Sequence, residues 1–371
     1  MNDCIEFKDI NCVLMLADVH YGLKTNMTNN SIKYVEWLDN MNSYFTEFFI
    51  PLVESYRNKL YKPMLIVAGD FFENKYSLRV DVMNSTKNIV RSLANIMPVV
   101  FIVGNHDTLY TDNNRVNSLR VFEDMKNVYV VDSVQDIKVC GRRFTLMAWN
   151  ENSSEINKAI KSSNSDYIIL HADINGLLYP SKIKVSDKVE TKGFKGTHIY
   201  AGHIHIRQEK GKVTYLGSPY EMDKNDMGNT KGVYALRFEH IAEDDSYDVF
   251  EDFTENTYSP RFLNLDAAKV FESVDKGGDV SSIIGKNYVN LSYKTADYPR
   301  LSKFLDDVVN EGIAKGIEFT EIREEAKVEV NEEALNMSID DAVYDCISKL
   351  DISDEEKTFL SEKHKSYTKA L

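Results

Sequence analysis

The chain has 371 residues, of which 43% are hydrophobic and 27% are charged. This length leaves room for two domains and a small third piece, and the composition is that of an ordinary globular protein. No apolar run approaches the ~20 residues that a membrane-spanning helix needs, and the N-terminus has neither the basic start nor the apolar core of a signal peptide. The sequence therefore predicts a cytoplasmic protein that does not enter a membrane.

The formal net charge of the chain is −14, which counts against non-specific binding to nucleic acid because phosphate groups repel an acidic surface. Binding to DNA would need a local basic patch, bound cations or a partner protein. The cysteines are Cys4, Cys12, Cys140 and Cys346, and no two of them form a Cys-x-x-Cys pair. Neither a disulfide framework nor a zinc–thiolate site is indicated.

Three continuous apolar runs open the chain, over residues 12–17, 64–68 and 99–103. Runs of this kind predict strands that are buried on both faces. With the helical patterns that separate them, they predict right-handed βαβ units and a largely parallel central sheet. Ligands of such sheets bind at the carboxyl ends of the strands, so the residues that follow each run are the first candidates for function.

The segments between these runs carry apolar residues at helical spacing. They predict a helix over residues 31–61, with a kink or break at Pro51 because proline lacks the backbone N–H donor. They also predict a helix over residues 77–97, whose inner face consists of Val80, Met83, Val90, Leu93 and Met97.

The remaining chain divides into three parts. More strands are expected over residues 127–131, 142–149, 167–170, 198–201, 213–216 and 233–238, and a helix over residues 153–162.

After Phe238 the sequence becomes acidic, and a strand over residues 288–293 and a helix over residues 301–309 predict a small α+β domain. From Glu324 the chain resembles a linker and ends in two helices, the first capped by Ser338 and the second by a capping box at Ser353-Asp354-Glu355-Glu356. The predicted division is 1–240, 241–325 and 326–371.

Side chains that can bind metals follow five of the predicted strands. They are Asp18 and His20, Asp70, Asn105 with His106 and Asp107, His171, and finally His203 and His205. A single histidine or aspartate of this kind is more often a surface or capping residue, but five clusters in register with five strand ends are hard to explain by packing. Oxygen and imidazole ligands without thiolates suit manganese, iron or zinc.

Seven of these residues fit a centre of two metal ions that share one carboxylate: Asp18, His20, Asp70, Asn105, His171, His203 and His205. If Asp70 bridges the ions, each ion receives four protein groups and keeps room for water and substrate. Two such ions would bind a phosphodiester, activate a water and stabilise charge on phosphorus. His106 could then protonate the leaving oxygen or hold the phosphoryl group, and Asp107 could fix the tautomer of His106.

In this order the motifs Asp-x-His, Gly-Asp, Gly-Asn-His-Asp, His and Gly-His-x-His resemble those of the calcineurin-like metallophosphoesterases, over about residues 12–240. Within that superfamily the chain resembles the SbcD-type DNA nuclease subunits, and most of all the nuclease subunit of the recombination endonuclease of tailed bacteriophages. Residues 214–220, Thr-Tyr-Leu-Gly-Ser-Pro-Tyr, and residues 171–176, His-Ala-Asp-Ile-Asn-Gly, support this narrower resemblance. The implied fold is α/β, a β-sandwich flanked by helices, with a small α+β capping domain and a C-terminal helical pair.

The resemblance also implies a ligand set. One Mn²⁺ would be held by Asp18, His20, Asp70 and His205, and the other by Asp70, Asn105, His171 and His203, with Mg²⁺ as the alternative metal and His106 as the catalytic residue. One position departs from the pattern: cellular members often have a histidine three residues after the bridging aspartate, where this chain has Glu73. A second catalytic histidine, and the balance of exonuclease and endonuclease activity, are therefore in doubt.

The implied function is that of a Mn-dependent DNA nuclease, a 3′-5′ double-strand exonuclease and single-strand endonuclease. Such subunits work with an SbcC-type coiled-coil ATPase in DNA recombination, repair and replication, here in the cytoplasm of the host cell if a bacteriophage encodes the chain. The alternatives are a phosphatase or small-molecule phosphodiesterase on the same scaffold, and a catalytically dead DNA-binding subunit. The last predicts missing ligands, and none is missing.

Three contact surfaces are expected, each with a plainer interpretation. The two C-terminal helices would bind the ATPase, or would form a helical hairpin that packs on the core. The loop over residues 180–197 would contact the DNA backbone or stay solvated; it carries Lys182, Lys184, Lys188, Lys192 and Lys195. The helices over residues 31–61 and 77–97 would form a homodimer, or their apolar faces would belong to the core.

Overall fold

The structure is a computed structural model that describes residues 4–23, 34–110, 113–279, 284–285, 287–310, 316–322, 339–350 and 352–368. The chain divides into two compact units, Met1–Glu321 and Ile322–Leu371. None of the helices in these described ranges is long and apolar enough to cross a membrane.

The strands are, in chain order, β1 (Ile5–Phe7), β2 (Cys12–Leu16), β3 (Pro63–Ala68), β4 (Val99–Ile102), β5 (Val128–Val131), β6 (Val134–Val139), β7 (Arg142–Met147), β8 (Tyr167–His171), β9 (His198–Gly202), β10 (Gln208–Lys210), β11 (Val213–Tyr215), β12 (Gly232–Ile241), β13 (Ser246–Glu255), β14 (Phe262–Asp266), β15 (Tyr288–Tyr293) and β16 (Gly316–Glu321). The α-helices are α1 (Tyr34–Ser43), α2 (Ile50–Asn58), α3 (Val80–Ile96), α4 (Ser153–Ser162), α5 (Ala267–Asp275), α6 (Tyr298–Asn310), α7 (Ile339–Lys349) and α8 (Asp354–Thr368).

Two sheets form a sandwich in the larger unit. One sheet has the order β13-β12-β2-β3-β4-β5 and the other β1-β6-β7-β8-β9-β11-β10. Neighbouring strands from β2 to β5 are parallel, as are those from β7 to β9 and β11. One continuous core contains Leu14 and Ile66 from the first sheet and Leu146 and Ile169 from the second. The predicted α/β class and the β-sandwich flanked by helices are confirmed.

The apolar runs explain why the central strands lie where they do. Every residue of β2, β3, β4 and β8 is buried, because a strand that packs on the opposite sheet with one face and on helices with the other has no side open to water. Each run ends where a glycine or a polar residue follows. The predicted strands at these positions are confirmed to within one or two residues.

The first helical segment does not break at Pro51. A π-helical stretch, Tyr44–Phe49, joins α1 to α2, and Pro51 lies in the first turn of α2. Proline has no N–H to donate, and the first turn of an α-helix is the place where the loss of that donor costs least. The π-helical stretch just before it already departs from regular α geometry. Of the two predicted outcomes at Pro51, the break was wrong and the kink stays a prediction.

The predicted inner face of α3 is confirmed at Val90, Leu93 and Met97, which are buried, and was wrong at Val80. Val80 is 68% exposed, and the buried residues are Val82, Thr86, Ile89, Val90, Leu93 and Ala94. The helix begins at Val80, one residue after the extended Arg79, so the first predicted core position lies at the helix end. Along the preceding segment, Met41, Phe45 and Phe49 also pack into the core of the chain itself. The dimer through these two helices stays a prediction.

The acidic region after Phe238 holds strands that the sequence does not predict, and one of them, β13, extends the sandwich. β13 pairs with β12 along its whole length, so the predicted division at residue 240 falls within this hairpin. No residue of β13 is buried, because it is the outer strand of its sheet, and it therefore has no apolar run that could predict it. The short strands β1 and β10 were missed for the same reason.

The predicted small α+β domain falls within the larger unit, up to Glu321, and there it contains a three-stranded parallel sheet in the order β14-β15-β16 with α5 and α6. It has a core of its own, which includes Val270, Leu291 and Leu301. Trp37 of α1 packs against the rings of Phe262 and Tyr288 of this domain. The main chain of Phe262 also donates a hydrogen bond to Glu221 Oε2 (2.6 Å).

The C-terminal unit contains α7 and α8, as predicted. The capping box of α8 is present: Ser353 N donates to Glu356 Oε2 (3.0 Å), and Glu356 N donates to Ser353 Oγ (3.3 Å). Ser338, the predicted cap of α7, lies outside the described residues.

Candidate metal centre

The candidate ligands converge at one edge of the sandwich. Asp18, Asp70 and Asn105 follow the carboxyl ends of β2, β3 and β4 in one sheet. His171 ends β8, and His203 follows β9, in the other sheet. Because parallel strands bring their carboxyl ends to the same edge, positions that are far apart in the sequence meet here.

Ligand atoms within 4.8 Å of one another form three groups: Asp18, His20 and His205; His20, Asp70 and His106; and Asp70, His171 and His203. His20 and Asp70 each belong to two of these groups, and Asp70 links the group that contains His20 to the group that contains His171 and His203. The amide oxygen of Asn105 joins it, 2.9 Å from His171 Nε2 and 2.8 Å from His203 Nδ1. The structure thus brings all seven predicted ligands together, with His106 beside them.

The backbone at this edge adopts conformations that side chains disfavour. Four candidate ligands have positive φ angles: Asp18 (52°), His20 (48°), Asp70 (51°) and His203 (97°). Such residues cost about 1–3 kcal/mol each and concentrate at functional sites. Main-chain donors hold two of the carboxylates in place: His203 N donates to Asp18 Oδ1 (2.9 Å), and His106 N donates to Asp70 Oδ1 (2.8 Å).

Hydrogen bonds at the outer nitrogen fix the tautomers of two histidines. His171 Nδ1 lies 2.8 Å from the carbonyl oxygen of Ala68, and His20 Nδ1 lies 2.6 Å from Glu73 Oε2. A carbonyl or a carboxylate can only accept, so in both rings Nδ1 carries a proton, and in the neutral ring Nε2 is the nitrogen that offers a lone pair. His20 Nε2 is buried without a hydrogen-bond partner and lies 3.7 Å from Asp70 Oδ2. A buried acceptor of this kind, next to a carboxylate, fits a bound cation.

The third histidine is oriented the opposite way round. His203 Nδ1 faces Asn105, and His203 Nε2 lies 3.2 Å from Asp173 Oδ1. The indole of Trp149 stacks on the imidazole, with 5.0 Å between ring centroids. Sequence reasoning did not single out Asp173 or Trp149 as functional; the position of Asp173, two residues after the candidate ligand His171, was the available signal.

The charges of the cluster point to the same conclusion. Burial raises the pKa of the Asp18 carboxyl above its ordinary value. Burial alone would also raise the pKa of Asp70, but His171 outweighs it and brings that pKa well below the ordinary range. For His171, burial would lower the pKa, but Asp70 raises it to about 9. Without a metal ion, a protonated histidine therefore neutralises buried carboxylates, and a divalent cation could replace that charge.

His205 differs from the other histidines. Burial, with His20 as a neighbour, lowers the pKa of His205 to about 3. The ring is therefore neutral at physiological pH and can donate a lone pair to a metal ion without losing a proton.

Asp107 does not hold the ring of His106. Its buried carboxylate accepts hydrogen bonds from the main-chain N–H groups of Gly104 (3.0 Å), Phe71 (3.3 Å) and Phe72 (3.0 Å). His106 Nδ1 lies instead 2.8 Å from the main-chain oxygen of Glu73. The predicted role of Asp107 in fixing the tautomer was wrong: Asp107 ties the loop after β4 to the loop after β3. Burial raises its pKa to about 6.

A cleft of about 240 Å³ adjoins the cluster. Asn105, Trp149 and Asp173 line it on the side of the candidate ligands, and Lys75 and Lys188 also line it. Lys188 is one of the five lysines of the loop that the sequence predicts to contact DNA. The cleft therefore places two lysines, beside the carboxylates of Glu151 and Asp173, next to the candidate ligand Asn105.

Residues 13–207 match the family of calcineurin-like phosphoesterases. The chain belongs to this family. Membership confirms the predicted superfamily and an enzyme class, that of metal-dependent phosphoester hydrolases. The matched segment begins in β2 and ends just after the Gly-His-Ile-His motif, so it contains every strand end that carries a candidate ligand.

Two curated proteins with similar sequences come from viruses. "Exonuclease subunit 1" of Enterobacteria phage T4 is 26% identical over 223 residues, which are 57% of this chain and 66% of that protein. An uncharacterised protein of Acanthamoeba polyphaga mimivirus is 25% identical over 184 residues, 42% of this chain and 13% of that protein. The chain thus spans less than two thirds of the length of either relative.

Substituting Gly104 by alanine tests whether the cluster needs its observed packing. The new Cβ would lie 2.2 Å from Asp70 Oδ1 and 2.3 Å from Asp70 N, so Asp70 must move. We expect Gly104→Ala to lower the free energy of unfolding by about 1–3 kcal/mol and to weaken Mn²⁺ binding, measured by denaturant titration and by isothermal titration calorimetry.

Gly141→Ala is the matched control. The Cβ there meets no heavy atom within 4 Å, but φ is +74°, which costs about 1–2 kcal/mol. This variant should lose stability and keep Mn²⁺ affinity. Unchanged Mn²⁺ affinity in Gly104→Ala would show that the position of Asp70 does not matter for metal binding.

Proposed function

We propose that this chain is the nuclease subunit of a DNA-processing complex, a Mn-dependent 3′-5′ double-strand exonuclease and single-strand endonuclease. It would work with an SbcC-type ATPase in DNA recombination, repair and replication. The observation that carries the proposal is the convergence of seven metal-type ligands at one edge of the sandwich in a calcineurin-like phosphoesterase. The similarity to a phage protein named as an exonuclease subunit supports DNA as the substrate.

The proposed ligand sets follow the two ends of the cluster. Asp18, His20, Asp70 and His205 would hold one ion, and Asp70, Asn105, His171 and His203 the other. Mn²⁺ suits this mixture of carboxylate, amide and imidazole donors, and Mg²⁺ is the alternative. When bound, the two ions would supply Lewis acidity and an activated water.

His106 is the proposed proton donor to the leaving oxygen. The Glu73 main-chain oxygen accepts from its Nδ1 (2.8 Å), so Nε2 is the nitrogen left for proton transfer. The His106 side chain is 39% exposed, whereas that of His20 is 3% exposed. An accessible imidazole next to a buried ligand cluster is what a reaction with a large substrate requires.

The cleft beside Asn105 is the proposed route of the DNA backbone. The chain carries a net charge of −14, so phosphates need positive groups nearby. Lys75 and Lys188 provide two such groups in the cleft, beside the carboxylates of Glu151 and Asp173, which metal ions at the adjoining site would help to offset. The Lys188 side chain is 47% exposed, and its Nζ lies 3.9 Å from Asp173 Oδ2. This long contact leaves the ammonium group free to approach a phosphate.

The C-terminal helical pair is the proposed binding surface for the ATPase. Leu350 is 44% exposed, Phe359 58% and Leu360 38%. Large apolar side chains exposed together on a small helical unit are typical of a protein-binding surface. A helix laid against an apolar partner groove would bury them.

The main test compares wild type with His106→Ala on linear duplex DNA and on single-stranded DNA, with Mn²⁺. Loss of the proton donor should lower the cleavage rate about 10²–10⁴-fold, measured by product formation in a gel assay. Mn²⁺ binding should change little, because His106 is not among the proposed ligands.

The same experiment separates the nuclease from a phosphatase on this scaffold. A phosphatase would hydrolyse a nucleotide monophosphate at a high rate and leave both DNA substrates intact. That outcome for the wild type, with and without the ATPase, would contradict the proposed function.

Replacing Lys188 by glutamine tests the DNA route. Each lost phosphate contact should reduce the slope of log affinity against log salt concentration by about 0.9 for duplex DNA, measured by fluorescence anisotropy across a salt series. Lys8→Gln is the control, because exposed Lys8 precedes β2 at the opposite edge of the sheet from Asp18. Equal slopes for wild type and Lys188→Gln would refute the contact.

Deleting residues 338–371, or substituting Phe359 by aspartate, tests the partner surface. Both changes should abolish binding of the ATPase in a pull-down and leave Mn²⁺-dependent hydrolysis of a small phosphodiester intact. Binding of the ATPase that survives the deletion would contradict the proposal that the C-terminal helices form the partner surface.

A further inference from the structure

We propose that Glu73 is a positioning residue that orients a metal ligand with its side chain and the proton donor with its main chain. The inference rests on the function proposed above, since it concerns the same site. Its carboxylate would hold His20, and its carbonyl oxygen would hold His106. The two contacts come from different parts of one residue and can therefore be separated by experiment.

The side-chain contact is short and partly shielded from water. Glu73 Oε2 lies 2.6 Å from His20 Nδ1, and the Glu73 side chain is 29% exposed. A carboxylate on the outer nitrogen of a histidine fixes the tautomer and makes the inner nitrogen a stronger donor to a metal. That inner atom, His20 Nε2, is buried and without a hydrogen-bond partner.

The backbone fixes the position of Glu73 relative to His20. The segment after β3 runs beside the segment after β2: His20 N donates to Asp70 O (3.0 Å), and Tyr21 N donates to Phe71 O (2.7 Å). Glu73 N donates back to Tyr21 O (3.2 Å). This register places Glu73 against His20 and anchors the Glu73 main chain independently of its side chain.

The main-chain contact reaches His106. The Glu73 oxygen lies 2.8 Å from His106 Nδ1, and the imidazoles of His20 and His106 pack edge to face with 4.8 Å between centroids. Since every residue type has this carbonyl group, a substitution at position 73 leaves this hydrogen bond in place, and it removes only the longer approach of Glu73 Oε2 to the same nitrogen (3.8 Å).

Asp173 plays the corresponding part on the other side of the cluster. Its Oδ1 lies 3.2 Å from His203 Nε2, while His203 Nδ1 faces Asn105. Each proposed metal position therefore has one histidine backed by a carboxylate. Asp173→Asn serves as a comparison that affects a different metal position.

The test measures Mn²⁺ binding directly in Glu73→Gln and Glu73→Ala, by electron paramagnetic resonance of free Mn²⁺ during a titration. One of the two sites should weaken about 10- to 100-fold, with the larger loss in Glu73→Ala. Glu47→Gln, an exposed carboxylate in the π-helical stretch, should bind as wild type does. Asp173→Asn should also weaken one site, and the Glu73→Gln/Asp173→Asn double variant should weaken both.

Turnover of a small phosphodiester, bis(p-nitrophenyl) phosphate, provides the second readout. In both Glu73 variants the Mn²⁺ concentration for half-maximal rate should rise, and kcat at saturating Mn²⁺ should return to within a few-fold of wild type because His106 keeps its carbonyl contact.

Unchanged Mn²⁺ affinity would overturn the proposal. So would a kcat that excess Mn²⁺ does not restore, because the side chain would then act in the reaction itself. Glu73→Gln keeps the shape of the side chain and serves if Glu73→Ala does not fold. A wild type that binds Mn²⁺ and hydrolyses the small diester but leaves DNA intact would contradict the nuclease function alone.

Discussion

The structure depends on burying carboxylates at the edge where the two sheets of the sandwich meet. Asp18 and Asp70 are almost inaccessible to water, and buried negative charges are costly unless cations or donors surround them. The donors here are main-chain N–H groups and imidazoles, which the strand ends bring into place. The left-handed backbone at Asp18 and Asp70 follows from this need. So does Gly104, because a side chain at that position would collide with Asp70.

Much of this site could be predicted from the sequence, because an apolar run that stops at a polar residue marks both a strand and its carboxyl end. The ligands Asp18, Asp70 and His171 each have this signature. The roles of Asp107 and Glu73 could not be predicted in the same way. Asp107 accepts hydrogen bonds from main-chain N–H groups of the loop after β3. Glu73 contacts His20 because the loops after β2 and β3 pair in one particular register. Residue identities alone reveal neither of these arrangements.

In the fold, too, some elements could be predicted from the sequence and others could not. Buried strands and amphipathic helices have periodic patterns, and their positions follow from the sequence. β13 has no such pattern because it is an outer strand with no buried residue, and only its pairing with β12 makes it a strand. Pro51 was read as a break because the local rule for proline ignores the π-helical stretch before it. At β13 and at Pro51, contacts with the rest of the fold determine the secondary structure that the local sequence does not specify.

The distribution of the candidate ligands along the chain has a consequence for synthesis. Asp18, His20, Asp70 and Asn105 lie in the first sheet, whereas His171, His203 and His205 come from the second, much later in the sequence. Each proposed metal ion draws on both. A chain still emerging from the ribosome therefore has no complete centre, and hydrolytic capacity would arise only when the second sheet closes on the first. For this phosphoesterase, the topology itself delays activity until folding is complete.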